Sequence, residues 1–127
     1  MKDYSAMSDF EVNSEVHNHA ECGGRYSLEM LGDGRIAWND GCHIIYTDKI
    51  PYGEPLKDYC NSWADAGPII QSSKISIIHD CMAEPQDGGC WLARPTYGYE
   101  KEKARNDNPL RAAMIVFLMT KGGESNV

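Results

Sequence analysis

Asn108 and Arg111 stand three positions apart at the start of the most apolar stretch of the sequence, and together they have the chemistry of a small anion site. Asn108 precedes Pro109, so it opens a helix whose first backbone N–H groups favour negative charge. A guanidinium one turn in can grip a phosphate or carboxylate with two parallel hydrogen bonds. The competing use of Arg111 is an ion pair with a nearby acid such as Asp65 or Asp107. Tyr59, Trp63, Tyr97 and Tyr99 add flat faces for stacking on a base or anchoring a protein partner. Trp63 suits a core equally well, and Trp38 and Trp91 fall on predicted strands, where packing is their first use.

A second set of residues has the softness for metal. His17, His19 and Cys22 read H-x-H-x-x-C, with Cys42-His43 and His79-Asp80-Cys81 elsewhere. There is no C-x-x-C pair and no H-E-x-x-H, and ligands on one helix face want a spacing of three or four rather than two. Exposed histidines and buried thiols are therefore the expected reading, with no metal and no cofactor. No nucleophile elbow and no family-specific cysteine signature is present, so no catalytic residue is assigned and the balance leans away from an enzyme. Gly32-x-Gly34 and Gly88-Gly89 have neither a following helix cap nor a lysine, and read as hairpin turns rather than phosphate loops.

The elements that position these groups follow from caps and periodicity. Asn108 and Pro109 mark the start of a helix through Ala112, Ala113, Met114, Ile115, Val116, Phe117, Leu118 and Met119, apolar on every side and therefore a core element. Gly122 and Gly123 are expected to close it, with Lys121 beside its last carbonyls. Ser8 and Glu11 form a capping box, flanked by Met7 and Val12, for a first helix that ends before Gly23 and packs on one side as an outer layer. A helix capped by Asn61 or Ser62 contains Pro68, where a bend or a looser first turn is expected. Strands are predicted at Arg25–Met30, Arg35–Asn39 and Cys42–Thr47, then at Lys74–His79 and Cys90–Arg94. Pro95 to Asp107 reads as a long exposed loop.

With 127 residues the chain is one small domain by size. The expectation is an α+β fold: an antiparallel or mixed sheet of about five strands packed with three helices, the C-terminal one most buried. Nineteen acidic residues against twelve basic ones give a net charge of −7, which disfavours direct binding of nucleic acid. The apolar run is shorter than the roughly 20 residues a bilayer span needs, and the N-terminal stretch has no secretory pattern. Five irregularly spaced cysteines suit reduced thiols better than a disulfide framework.

Three blocks, MKDYSAMSDFEVN at the N-terminus, DYCNSWADAGPIIQSSKISII in the middle and NPLRAAMIVFLM near the end, resemble the NinX family of lambdoid bacteriophage proteins. A weaker similarity links the pairing of helices to a small phage α/β/α sandwich domain. The resemblance implies an accessory phage protein acting in the cytoplasm of the infected bacterium, and it carries no catalytic residues to transfer. The leading expectation is a non-catalytic protein that neutralises a host factor by binding, either a small nucleotide signal or a defence protein, with self-association left open. The alternatives are an acidic mimic of nucleic acid occupying a host DNA- or RNA-binding protein, and a small metal-dependent enzyme. A structural zinc at His17, His19 and Cys22 would make folding depend on the ion. The expected outcome is that a chelator leaves the melting temperature unchanged and that elemental analysis finds less than one metal per chain.

Overall fold

Ser8 starts the first helix as a capping box does. Its hydroxyl oxygen accepts from the Glu11 N–H at 3.2 Å, and the Glu11 carboxylate accepts from the Ser8 N–H at 2.9 Å. In the computed structural model, which describes residues 3–51, 55–96 and 103–125 and only the backbone of 122–125, this helix, α1, runs Asp9–Glu21. It is not the one-sided outer element its sparse apolar pattern suggests. Val12 and Val16 are fully buried in one apolar cluster, while Phe10 and Cys22 pack against a second. The helix is thus a wall shared by two cores. Its polar positions take part too: Asn18 accepts from the Tyr26 N–H at 3.1 Å and donates to the Tyr26 carbonyl at 2.7 Å, pairing with the entry to the first sheet as a strand would.

That sheet is an antiparallel meander of β1 (Ser27–Met30), β2 (Ile36–Asn39) and β3 (Ile44–Thr47). Leu28, Ile36 and Trp38 point inward, and with Tyr26 and Ile50 they form the smaller core. A second meander joins β4 (Ile75–His79), β5 (Trp91–Pro95) and β6 (Ala104–Asn106). The single sheet of about five strands is therefore corrected to two sheets of three among the described residues. Each meander is complete through its own short connections, and the helix between them carries the chain from one to the other. β6 lies inside the stretch expected to be loop. Ala104, Arg105 and Asn106 show no apolar alternation, and the strand is placed by a close approach instead: a Cβ on Gly89 would sit 2.3 Å from the Asn106 carbonyl carbon, so only glycine fits.

Helix α2 (Trp63–Ser73) is capped by Ser62, whose hydroxyl accepts from the Asp65 N–H at 3.3 Å. The helical run is continuous through Pro68. The proline forfeits one hydrogen bond, to the Ala64 carbonyl near the helix start, and the cap and the burial of Ala66 hold the turns around it. Helix α3 (Pro109–Ser125) lies against α1, α2 and all three strands of the second sheet, and every residue from Leu110 to Leu118 is buried. Its backbone stays helical through Gly122 and Gly123, which were expected to stop it, so Lys121 lies inside the helix rather than at its end. Glycine permits a left-handed stop but does not enforce one. Leu118 has no exposed surface, and Leu118→Ala should cost about 2–5 kcal/mol, read as a lower urea midpoint with an unchanged slope.

Candidate binding cleft

The start of α3 is occupied by the protein itself. The Asn108 side-chain oxygen accepts from the N–H groups of Leu110 at 3.0 Å and Arg111 at 3.3 Å, and its amide donates to the Cys60 carbonyl at 2.6 Å and to Asn61 at 3.0 Å. Arg111 is buried. One guanidinium nitrogen reaches the Asp9 carboxylate at 2.7 Å, and the other donates to the carbonyls of Tyr4, at 3.2 Å, and Met7. The acid beside it is neither Asp65 nor Asp107. Asp65 accepts from the Asp58 N–H and Asp107 from the Cys90 N–H, because the capping turn of α1, not the neighbouring loops, is what α3 packs against.

The remaining sequence-derived candidates are dispersed. Tyr59 is buried, 1 % exposed, so its ring face is not available for stacking, whereas Trp63 is 59 % exposed at the first turn of α2. Tyr97 and Tyr99 lie outside the described residues. Of the proposed metal ligands, His17 meets the edge of Trp38 at 6.2 Å between ring centroids, and burial lowers its pKa. Burial raises that of Cys22. Among the described residues no three His, Cys, Asp or Glu side chains gather as a metal ion would require. Cys60, wholly buried beside Arg111, has its thiol pushed up to about 12, first by burial and then by Asp9, and so keeps its proton.

An open cleft of about 590 Å³ lies between α1, α2 and α3, within the range of about 300–1,000 Å³ common for small-molecule sites. One face of α2 lines it through Ala64, Asp65, Pro68, Ile69, Ser72 and Ser73, the i, i+4, i+8 row and its neighbours. The last turn of α1 adds His19, Ala20 and Glu21, α3 adds Phe117 and Lys121, and the segment before α2 adds Lys57 and Tyr59. Charges of both signs meet here. Lys57 lies 3.6 Å from Glu21, and the Lys121 ammonium sits 5.7 Å from the Phe117 ring centre. α1 and α2 both bring their C-terminal turns to the cleft, where the two lysines complement the negative helix ends.

Tyr59 lies behind the cleft wall. Its hydroxyl is shielded from solvent and has no hydrogen-bond partner among the described residues. It is pushed up to about 12, by burial first and then by Glu21 and Asp65, two carboxylates that line the cleft. A neutral, unsatisfied donor is costly in a folded interior and is the kind of group a ligand or an ordered water relieves. No sequence motif announced this cleft. Its residues come from four separate segments, and the only local signal was the i, i+4 row on α2.

This is a small α+β domain built on one buried helix, with an open cleft of mixed charge along its second helix. Its sequence matches the family model described as Bacteriophage P22, NinX over residues 3–121, and the chain belongs to that family, which places it among phage accessory proteins. Comparison with curated proteins and with solved structures gave no match. No helix of the described residues is long and apolar enough to cross a membrane.

Arg111→Ala takes a donor from three acceptors, of which the Tyr4 carbonyl keeps the Met7 N–H and Asp9 keeps the Asn61 amide. Asp9 stays half in water, so the loss should fall near the low end for a broken buried pair, about 2–3 kcal/mol in urea denaturation. Arg111→Lys should recover only part of it, because an ammonium does not reproduce the planar fork.

Proposed function

We propose that this protein is a non-catalytic accessory protein of the phage that neutralises a host factor by binding it in the cytoplasm of the infected bacterium, and that the factor is a small nucleotide signal. The observation that carries the reading is the cleft, where a ligand phosphate would compete with Glu21 for Lys57 and add to the surroundings of Lys121, leaving Glu21 and Asp65 to accept from the N–H groups of a base. Pro68, Ile69 and Phe117 supply apolar surface for the ring. Family membership supports the phage context; Arg111 is taken up by Asp9, so this reading assigns anion binding to the far end of α3 instead. The exposed Trp63 indole favours a second reading, in which the same helix docks on a defence protein.

Calorimetric titration with mono-, di- and cyclic dinucleotides tests the first reading. At least one should bind, more weakly as salt rises. The Lys57→Ala/Lys121→Ala double variant should bind about tenfold or more weakly while staying folded, since Lys57 is exposed and Lys121 only partly buried. Absence of binding across the panel, or binding that ignores both lysines, would remove the nucleotide reading. Protection of the phage that is lost in Trp63→Ala but kept in the double variant would favour the protein partner.

A further inference from the structure

The outer edge of β3 is built to pair with a second strand. The ladder to β2 alternates. The Asp40 N–H donates to the His43 carbonyl at 3.2 Å, which fixes His43, Ile45 and Thr47 as the residues whose backbone groups face β2, in the register Ile36 to Thr47 and Trp38 to Ile45. The same phase follows from the other side of β2, where the Leu31 N–H donates to the Arg35 carbonyl. The backbone N–H and C=O of Ile44 and Tyr46 therefore point away from the sheet, and neither has a backbone partner outside that ladder among the described residues. Their side chains share the outer face, with Ile44 50 % and Tyr46 59 % exposed. From His43 to Thr47 there is no lysine, no proline and no bulge in the register, and the four-residue length of β3 confines the free edge to Ile44 and Tyr46.

We propose that β3 pairs antiparallel with β3 of a second copy of this chain about a twofold axis at Ile45, forming a continuous six-stranded sheet. Four backbone hydrogen bonds then close between Ile44 of each copy and Tyr46 of the other, and those residues stack as two aromatic–aliphatic cross-strand pairs. Charge selects a second copy as the occupant. In a chain of net charge −7, the run His43–Thr47 carries no acid, so the acidic protein meets itself here without like charges opposed. At each end of the seam the bend that carries Lys49 of one copy meets the turn that carries Asp40 of the other. The interface is isologous, as a twofold dimer requires.

Sedimentation of the full chain from micromolar to millimolar concentration should show a monomer–dimer equilibrium. Amide exchange followed by NMR gives the register. Ile45 and Thr47 should be protected at every concentration, and Ile44 and Tyr46 only where the dimer is populated. Ile44→Lys and Tyr46→Lys, both at exposed positions, should weaken the dimer about tenfold or more and leave the circular dichroism spectrum and the melting temperature of the monomer unchanged. A chain that stays monomeric at millimolar concentration overturns the proposal. So does a dimer indifferent to both lysines, or one in which the Ile44 and Tyr46 amides exchange as fast as in the monomer.

Discussion

The fork of Arg111 at the start of α3 is the interaction on which the rest of the structure depends. Its guanidinium holds the Asp9 carboxylate and the carbonyls of Tyr4 and Met7, so the capping turn of α1 and the first turn of α3 are joined across some hundred residues of chain. Asn108, one turn earlier, caps α3 with its oxygen and ties the turn before α2 with its amide. Coulomb attraction is the smaller part of this. Asp9 is half exposed and could be solvated alone, and the Tyr4 carbonyl also accepts from the Met7 N–H, whereas the Met7 carbonyl would lose the donor that Arg111 supplies. The cost of leaving it unpaired is what makes the junction specific.

With that junction set, the two faces of α1 acquire different tasks. Val12 and Val16 belong to the core around α3, while the side carrying His17 and Asn18 meets Trp38 and Tyr26 of the first sheet. Asn13 completes the link by accepting from the Cys60 N–H at 3.0 Å and donating to Asp58 at 3.2 Å. Two asparagines thus do what apolar residues do on an ordinary wall helix, and each satisfies buried backbone groups, the Cys60 N–H and those of Tyr26.

Much of this architecture was legible because its signals are local. The Ser8–Glu11 box, the Asn108–Pro109 start and the unbroken apolar run from Ala112 to Met119 each announce themselves within a few residues, and the alternation through β1 to β3 is equally short-range. What stayed hidden is non-local. Asn13 and Asn18 look like solvent-facing helix residues until their partners at Cys60 and Tyr26 are known, so α1 seemed an outer layer. β6 is only three residues long and is located by Gly89, a contact across a turn and a strand. Tyr59 read as a free aromatic face because nothing near it in sequence reveals that α3 covers it. The cleft has the same origin: four segments of unremarkable composition converge only once α1, α2 and α3 are packed.

The titrating groups buried around that junction bear on what kind of chemistry the domain is suited to. Tyr4 and Tyr59 are each pushed up to about 12, and so is the Cys60 thiol, in every case mainly by burial, while burial lowers His17. All four shifts favour the neutral form. A proton-transfer catalyst needs a group whose pKa lies near the working pH, and a thiol nucleophile needs its thiolate populated. Cys60 is held far from that state, with Asp9 adding to the effect of burial and Arg111 only partly opposing it. Tyr59 at the cleft is a permanent hydrogen-bond donor rather than a base. These four groups are thereby set to pack rather than to carry charge, and the charges of both signs that line the cleft come from Lys57, Lys121, Glu21 and Asp65 instead.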